Sequence, residues 1–254
     1  MFVVEHTVAH VLTEPALAGY RIAAIGDFHI APWRSTRAIE RAVVAINAWE
    51  PDVVVLVGDY GHSIRGFRGL ARKWYAMVIP RVVRALATLR ARDGVFAVLG
   101  NHDADGGADA VTHALHAAGI TVLRNSGVDI RRNAATVRIS GVEATPGPTD
   151  MTAVLGSGAN VIVLASHHPD VITDWPIQPS APLIVLAGHT HGGQIAFPRI
   201  GAPITLSHVA TRRFPSGFVP NEKATLYVTR GLGEQFPIRV MAPREVTLLE
   251  LAAR

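Results

Sequence analysis

The stretch Leu-Ile-Val-Leu-Ala-Gly-His-Thr-His-Gly-Gly, residues 183–193, is the part of the sequence from which the fold is best interpreted. Its first five residues are apolar, which predicts a buried strand that ends in a glycine-lined turn. Side chains two positions apart point to the same side of an extended chain, so we expect His189 and His191 to reach one shared site. A histidine pair alone is weak evidence for a metal, and it gains weight only if other strand ends supply ligands.

Four other apolar runs also end in polar residues that can bind metals. In open α/β sheets, ligand sites lie outside the carboxyl ends of the strands, so we expect all five strand ends to meet. Asp and Asn are common in turns for local reasons, which would explain one such ending but not five. Residues 20–26 are followed by Asp27 and His29, and residues 53–57 by Asp59. Residues 95–99 are followed by Asn101 and His102, and residues 161–165 by His167.

The composition limits both the ligands and the class of protein. The chain has 254 residues, of which 49% are hydrophobic, so we expect one folded domain over residues 1–254. It has no cysteine, which excludes disulfides and thiolate metal sites. A formal net charge of +4 is weak support for a nucleic-acid partner, and no specific one is expected. No apolar run has membrane-spanning length and no signal-peptide layout is visible, so we predict a cytoplasmic protein, with peripheral membrane contact as an open alternative.

Outside these motifs, the spacing of apolar residues predicts the remaining helices and strands. Ser35 is the expected cap of a helix over residues 35–49. Residues 143–158 and 197–221 are interpreted as loops. Helices are also predicted over residues 82–89 and 109–118, an edge strand over residues 2–8, and further strands over residues 120–123, 128–131, 136–139, 225–229, 238–241 and 246–251.

The candidate ligands exceed what one ion can hold, so we predict two divalent ions. Asp59 is expected to bridge them, with one ion on each carboxylate oxygen. Mixed histidine and carboxylate ligation suits Mn, Fe, Zn, Co or Ni better than Ca or Mg. One ion would be held by Asp27, His29 and His191, and the other by Asn101, His167 and His189.

Such a pair of ions predicts hydrolysis at phosphorus. Two metals about 3.5–4 Å apart form a clamp for in-line displacement, with a bridging hydroxide as nucleophile, so a nucleophilic Ser or Cys is unnecessary. In extended geometry His102 would point away from Asn101 and lie beside the ions. We assign it to the leaving-group oxygen, as proton donor or charge stabiliser, with Asp103 orienting it. The alternative is that His102 only hydrogen-bonds to the bridging carboxylate.

The motifs, taken together, resemble the five signature blocks of calcineurin-like metallophosphoesterases. Residues 188–195, 227–233 and 237–239 are similar to the bacterial YkuE/YaeI-type branch, whose members are metal-dependent phosphodiesterases or phosphohydrolases. The resemblance implies an α/β fold, a four-layer α/β/β/α sandwich of two mixed sheets flanked by helices, with a dinuclear centre on the same seven ligands. The five blocks are residues 27–29, 58–59, 100–103, the segment at His167, and residues 188–191.

The chain departs from the branch at several points. Glu143 and Ala144 stand where Gly-Val-Asp is expected, and the twin-arginine signal or membrane anchor of many members is not visible. The branch pattern His-x-Pro-Asp in the fourth block makes His167 the ligand and His168 the variable residue.

His62 and Arg230 are weaker candidates for substrate binding. His62 follows the Asp59 turn, where a plain loop histidine is equally consistent, and Arg230 follows a predicted strand. Residues 60–78 combine basic and aromatic side chains. They are either a lid or membrane-surface patch that brings a lipid phosphoester to the metals, or a solvated helix whose aromatics pack on the core.

The sequence therefore favours a dinuclear phosphohydrolase of the phosphodiesterase or phosphomonoesterase type. One alternative is a lipid-linked pyrophosphatase acting on a nucleotide-sugar lipid such as UDP-diacylglucosamine. A non-catalytic metal-binding scaffold is disfavoured because all seven ligands and His102 are present. A nucleic-acid exonuclease would need a basic groove with stacking aromatics, which is not visible outside residues 60–78. No protein partner is implied.

Overall fold

The computed structural model describes residues 2–9, 15–64, 66–144, 150–174, 179–197, 200–211 and 214–252. Arg65 and parts of the two predicted loops, residues 145–149, 198–199 and 212–213, lie outside these described residues. The described helices are α1 (Arg37–Trp49), α2 (Arg68–Leu86), α3 (Asn101–Gly106), α4 (Ala108–Ala117), α5 (Met151–Leu155) and α6 (Val171–Asp174), with short 3₁₀ turns at Pro15–Leu17 and His191–Gly193.

The described strands are β1 (Phe2–Ala9), β2 (Arg21–Ile25), β3 (Val53–Leu56), β4 (Val95–Ala97), β5 (Thr121–Val122), β6 (Ser126–Arg132), β7 (Ala135–Gly141), β8 (Val161–Ser166), β9 (Leu183–Ala187), β10 (Gly217–Val219), β11 (Thr225–Val228) and β12 (Arg244–Leu251). They form two sheets, in the orders β1-β12-β2-β3-β4-β5 and β10-β11-β9-β8-β7-β6. Both sheets are mixed, because β12 runs antiparallel to β2, and β6 and β10 run antiparallel to their neighbours.

Alternation along the strands builds an apolar core on each side of each sheet. Val54 of β3 belongs to a core with Ile46 of α1 and Val82 of α2 on the outer face of the first sheet. Its neighbour Val55 points the other way, into a core between the two sheets that includes Val163 of β8. Helices α5 and α6 cover the outer face of the second sheet. The predicted four-layer α/β/β/α sandwich is therefore confirmed.

The parallel strands carry the polar strand ends to one edge of the sandwich. Strands β2, β3 and β4 run parallel in the first sheet, and β8 and β9 run parallel in the second. His167 links the two sheets at this edge, because its Nδ1 lies 2.8 Å from the carbonyl oxygen of Val57. All five predicted strand ends therefore lie on neighbouring strands at the same carboxyl edge.

The structure corrects several boundaries expected from the sequence. Helix α1 begins at Arg37 with Thr36 as its N-cap, so Ser35 is not the cap. The predicted strand over residues 238–241 is wrong, since Val240 makes only one isolated bridge, to Ile195. Helix α3 lies where extended geometry was expected at His102, and α5 lies within the predicted loop over residues 143–158. None of the described helices combines the length and the apolar character that crossing a bilayer requires.

A buried polar network joins the two sheets. Glu245 of β12 is fully buried, and its Oε1 lies 2.7 Å from the hydroxyl of Tyr227 on β11. The hydroxyl of Thr247 donates to the same oxygen at 2.6 Å. The other oxygen, Oε2, lies 3.0 Å from Arg230 Nε, and Arg230 also pairs with Glu5 of β1. This network supplies each buried donor with an acceptor.

Replacing Glu245 with alanine is expected to destabilise the fold strongly. The change leaves the donors of Arg230, Tyr227 and Thr247 without this carboxylate, and breaking such a buried pair costs about 3–5 kcal/mol. Glu250→Ala on the same strand is the control, because Glu250 pairs at 3.3 Å with Arg21, whose side chain is 42% exposed, and such pairs contribute about 1 kcal/mol or less. Urea unfolding measures both, and equal losses would contradict the role given to the network.

Candidate metal centre

The first group of candidate ligands lies where β2 and β9 end. His29 Nε2 is 2.9 Å from His191 Nε2, and Asp27 Oδ1 is 3.8 Å from the same nitrogen of His191. All three side chains are buried. Asp27 is fixed from the second sheet, because the backbone N–H of His189 donates to both of its carboxylate oxygens at 3.1 Å. The structure therefore brings together the three residues predicted to hold one ion.

The second group lies where β4, β8 and β9 end. His167 Nε2 is 3.1 Å from Asn101 Oδ1 and 3.2 Å from His189 Nδ1. His167 is fully buried, whereas Asn101 and His189 are partly exposed. His191 thus belongs to the first group and His189 to the second, so the two side chains do not point to the same side. The predicted extended geometry is wrong, because both residues have left-handed backbones, with φ of 71° and 52°.

Asp59 lies between the two groups. Its Oδ2 is 3.5 Å from His29 Nε2 and 3.2 Å from His167 Nε2. Its Oδ1 instead accepts a hydrogen bond from the backbone N–H of His102 at 2.9 Å. The prediction of one ion on each oxygen therefore does not match the structure, in which a single oxygen faces both groups.

Backbone strain is present at five of the candidate ligands. A non-glycine residue with positive φ costs about 1–2 kcal/mol, and such residues cluster where a site requires them. The left-handed turns set the directions in which the side chains leave each strand end, and they send His189 and His191 toward different ligand groups. The candidate ligands with positive φ are Asp27, His29, Asp59, His189 and His191.

Burial sets the protonation of the cluster. It lowers the pKa of His189 to about 2 and that of His191 to about 3, so these imidazoles are neutral. Burial also opposes a charge on His167, but the carboxylates of Asp59 and Asp27 outweigh it and raise the pKa of His167 to about 10. For Asp27 itself, burial raises the pKa to about 7. The carboxylates thus favour a positive charge at the centre of the cluster.

These side chains fit divalent metal ions. Imidazole nitrogens and carboxylate oxygens lie within 4.8 Å of one another in groups of three, such as Asp27, His29 and His191, and their lone pairs repel unless a proton or a cation lies between them. Neutral imidazoles and carboxylates are the ligands that first-row transition metals accept. His167 is already oriented for ligation, because Nδ1–H donates to the Val57 carbonyl and a cation that replaces the proton on Nε2 would meet the lone pair of that nitrogen.

His102 lies beside the cluster, as expected, but its surroundings differ from the prediction. It is part of α3 rather than an extended segment, and its Nε2 is 3.9 Å from Asp59 Oδ2. Its Nδ1 accepts a hydrogen bond from the backbone N–H of Ser63 at 2.9 Å, and the Ser63 hydroxyl is 2.8 Å away. Ser63, not Asp103, therefore orients the ring.

Asp103 has a different role, which the sequence did not reveal. Its buried carboxylate accepts hydrogen bonds from the backbone N–H groups of Asp59, Tyr60 and Gly100 at 2.8–3.0 Å, and from the hydroxyl of Tyr75 at 2.9 Å. Burial and the charge of Asp59 raise the pKa of Asp103 to about 7. Asp103 thus ties the turn after β3 to the start of α3.

Arg239 is a further residue at the centre that we did not predict. Its Nη2 lies 3.3 Å from His191 Nδ1 and donates to the carbonyl oxygen of Arg230 at 2.8 Å. The signal for it was present, because residues 237–239 belong to the motif shared with the branch. Gln235 is also close, with its Nε2 3.4 Å from His102 Nε2.

The weaker candidates have different positions. The His62 ring centroid lies 5.8 Å from that of His29 and 5.6 Å from that of His102, so His62 borders the first group. His168 borders the second, 4.0 Å from the His189 ring, while the adjacent His167 faces Asp59. Arg230 does not reach the cluster, because its guanidinium pairs with glutamates between the sheets.

Comparisons with known proteins agree with this geometry. The sequence model of the calcineurin-like phosphoesterase family matches residues 20–193. The chain is 28% identical to the uncharacterized metallophosphoesterase YkuE of Bacillus subtilis, covering 97% of this chain and 84% of that protein. It is 29% identical to phosphodiesterase YaeI of Escherichia coli, covering 92% and 83%. The fold resembles the NAD nucleotidase of Haemophilus influenzae, with a TM-score of 0.51, 13% identity, and coverage of 84% of this chain and 45% of that one.

The close packing of Gly100 against Asp59 gives a test of the cluster. A Cβ at Gly100 would lie 2.0 Å from Asp59 Oδ1, although its φ of −94° suits any residue. Gly100→Ala is therefore expected to displace the carboxylate and to weaken Mn²⁺ binding by about 10–100-fold, measured by calorimetry.

Gly69→Ala is the matched control for this experiment. Nothing lies within 4 Å of a Cβ at Gly69, which is in α2, so the change should leave Mn²⁺ affinity unaltered. It should also stabilise the helix by up to about 1 kcal/mol. Wild-type affinity in a folded Gly100→Ala protein would contradict the assigned role of Asp59.

Proposed function

We propose that this chain, which belongs to the calcineurin-like phosphoesterase family and is a metal-dependent phosphoester hydrolase, works with two divalent ions that share Asp59. The observation that carries the proposal is the position of Asp59 Oδ2, which is within 3.5 Å of an imidazole nitrogen from each ligand group. Asp27, His29 and His191 would hold one ion, and Asn101, His167 and His189 the other. Mn, Fe, Zn, Co and Ni all suit this ligand set.

The ions would supply Lewis acidity and a nucleophile at neutral pH. The contribution of the chain is to fix the geometry. Asp103 holds the backbone N–H of Asp59, the N–H of His102 holds the Asp59 carboxylate, and the N–H of His189 holds that of Asp27. Asn101 and His189 are partly exposed, so this side of the cluster is open to a phosphoester.

His102 is proposed to stabilise charge on the leaving-group oxygen. A backbone N–H can only donate, so the bond from Ser63 makes His102 Nδ1 an acceptor and leaves the single proton of the neutral ring on Nε2. From that position the ring donates a hydrogen bond, which is what stabilising charge on the leaving-group oxygen requires. Between the two roles predicted for His102, the geometry favours charge stabiliser over proton donor.

A phosphodiester is the substrate class we favour. The support is the name of YaeI, a phosphodiesterase that is 29% identical over 92% of this chain. His62 borders the first ligand group, and its proposed role is to contact a substituent on phosphorus. A phosphomonoester remains an alternative within the same chemistry, because both classes present phosphoryl oxygens to the ions.

Asp59→Asn is expected to abolish turnover with the fold retained. The amide has the same shape but removes the shared negative charge, so the protein should hold fewer than two Mn²⁺ per chain. Hydrolysis of bis(p-nitrophenyl) phosphate should fall by at least about 1,000-fold, as expected when charge stabilisation worth several kcal/mol is lost. Plasma mass spectrometry measures the number of Mn²⁺ ions per chain, and initial rates measure the loss of hydrolysis.

His113→Ala is the control for this pair of measurements, because His113 is an exposed residue of α4 away from the cluster. It should keep wild-type metal content and rate. If the wild-type protein loaded with Mn²⁺ turns over neither phosphodiesters nor phosphomonoesters, the non-catalytic scaffold becomes the better account. Full activity of Asp59→Asn would refute the shared-ligand arrangement.

The leaving-group dependence of His102→Ala separates the two roles of His102. Loss of one charge-stabilising donor should lower kcat by about 100–1,000-fold. The factor should be similar for methyl p-nitrophenyl phosphate and for methyl phenyl phosphate, which has the poorer leaving group. His102→Gln, which keeps a donor, should lose less. A loss that grows steeply for the poorer leaving group would instead mean that His102 transfers a proton.

A lipid phosphoester is a second candidate substrate, and a specific observation favours it. In residues 60–78, Phe67 is 62% exposed and Met77 is 59% exposed, although Tyr75 of the same segment is buried. The aromatics of this segment thus only partly pack on the core. Basic side chains at Arg68 and Arg72 lie on the same helix, α2, as expected for contact with anionic lipid.

Vesicle pelleting tests this surface. The wild-type protein should sediment with phosphatidylglycerol vesicles at low salt, and Phe67→Ser/Met77→Ser should reduce the bound fraction because it removes the apolar contact. Val44→Ser is the control, since Val44 is 69% exposed on α1. Absence of wild-type binding would remove the lipid candidate and leave soluble phosphodiesters.

A further inference from the structure

A cavity of about 480 Å³ beside the metal centre is lined by four arginines: Arg34, Arg37, Arg41 and Arg244. Glu234 is the acidic residue in the lining. Four guanidinium groups around one carboxylate leave an excess of three positive charges in a concave space. Such a space attracts anions, because low-dielectric walls strengthen the field of the charges that line them.

Two of these arginines are already engaged. Glu234 lies between Arg34 and Arg244, with its Oε2 3.5 Å from Arg34 Nη1 and its Oε1 hydrogen-bonded to Arg244 Nη2. The carbonyl oxygen of Glu234 also accepts from Arg34 Nη1 at 2.6 Å. Arg244 Nε is nevertheless buried and has no hydrogen-bond partner among the described residues. Glu234 therefore orders Arg34 and Arg244 but leaves the Nε donor of Arg244 without a hydrogen bond among the described residues.

The other two arginines have no acceptor. Arg37 and Arg41 are exposed and lie one turn apart on α1, and neither side chain makes an ion pair or hydrogen bond within the part of the chain that the structure describes. The N-terminus of α1 adds to the effect, because the hydroxyl of the N-cap, Thr36, donates to Glu40 and caps no backbone N–H. The first turn of α1 thus presents uncapped N–H groups beside two unpaired guanidinium groups.

The cavity and the metal centre share a wall. Phe28 lines the cavity and is flanked in sequence by the candidate ligands Asp27 and His29. Gly233 also lines it, and the N–H of Gly233 donates to the carbonyl oxygen of Asp27 at 2.6 Å. Arg34 Nη1 is 3.5 Å from the carbonyl oxygen of His29.

A row of rings connects the rim of the cavity with His102 beside the metal centre. Trp33, which lines the cavity, lies 5.1 Å from Trp74, and Trp74 stacks on His62 at 6.1 Å. His62 in turn lies 5.6 Å from His102. The row thus spans the stretch from the candidate ligand His29, whose ring lies 5.8 Å from that of His62, to the rim of the cavity.

We propose that the cavity binds a second anionic group of the substrate, so that the preferred phosphoester carries an additional phosphate-type group at a distance from the bond that is cleaved. Guanidinium groups match the geometry of phosphate oxygens and bind them through paired hydrogen bonds. Arg37 and Arg41 would bind this group, with Arg34 and Arg244 held behind it by Glu234. This inference rests on the proposed phosphodiesterase activity and narrows its substrate class.

The test uses the Mn²⁺-loaded protein and two matched series of p-nitrophenyl alkyl phosphate diesters. One series ends in a hydroxyl and the other in a non-hydrolysable phosphonate, with spacers of increasing length. At the spacer that fits, KM should be about tenfold lower for the phosphonate ending, the equivalent of roughly 1.4 kcal/mol from charge-assisted hydrogen bonds. In Arg37→Gln/Arg41→Gln this ratio of KM values should fall close to one.

Arg90→Gln/Arg131→Gln is the matched control, because both arginines are exposed, neither lines the cavity, and the loss of net charge is the same. This variant should keep the wild-type preference for the phosphonate ending. Equal KM values for the two endings at every spacer in the wild type would overturn the proposal. A preference that survives in Arg37→Gln/Arg41→Gln would overturn it as well.

Two further measurements distinguish a substrate subsite from a free-anion site and from failure of the proposed function. Inorganic sulfate at constant ionic strength should raise KM only for the phosphonate series. If sulfate changes turnover of the hydroxyl series through Arg37 and Arg41, the cavity is a free-anion site and the proposal fails.

If neither series is hydrolysed, the proposed function fails, and calorimetric binding of the same compounds still decides the inference. Tighter binding of the phosphonate ending that depends on Arg37 and Arg41 would support it, and equal binding would reject it.

Discussion

The turn formed by Asp59 is the constraint on which the site depends. Its carbonyl oxygen accepts hydrogen bonds from the N–H groups of Phe28 and His29 at 2.9 and 3.1 Å, which fixes the turn after β2. Its N–H donates to Asp103 and its Oδ1 accepts from the N–H of His102, which fixes the start of α3. One residue therefore orients three strand ends of the first sheet and leaves Oδ2 directed at the ligand cluster.

The second sheet is positioned against this turn by equally short contacts. His167 Nδ1 bonds to the carbonyl oxygen of Val57, two residues before Asp59, and the N–H of His189 bonds to Asp27. Both contacts cross the apolar core between the sheets at its carboxyl edge. The strained backbone of the candidate ligands persists because these neighbours restrict it from several sides, while most residues of the parallel strands below are buried.

Much of this arrangement could be predicted from the sequence, because it depends on patterns that the sequence states directly. All-apolar runs of strand length predict buried parallel strands, and such strands place their carboxyl ends together, so the convergence of Asp27, Asp59 and His167 follows. The two-sheet, four-layer fold came instead from the resemblance to a family, and the two mixed sheets confirm it. The individual roles of the ligands stay predictions, although the distances group them as expected.

The features that were missed depend on backbone conformation or on distant contacts, which periodicity does not encode. An extended chain was assumed at His189 and His191, whereas left-handed φ values send the two rings to different groups. Asp103 was assigned to His102 from adjacency, but three-dimensional packing directs it to backbone N–H groups of the Asp59 turn. The cationic cavity joins α1 to residues about 200 positions away, so no local pattern could reveal it.

The central claim is that two ions share one oxygen of Asp59. Diffraction from crystals grown with Mn²⁺, recorded at the manganese absorption edge, tests it most directly. Two anomalous peaks about 3.5–4 Å apart are expected. One should lie toward His29 and the other toward His167, and both should be bound to Asp59 Oδ2. A single peak at full occupancy, or peaks that do not touch Asp59, would contradict the claim.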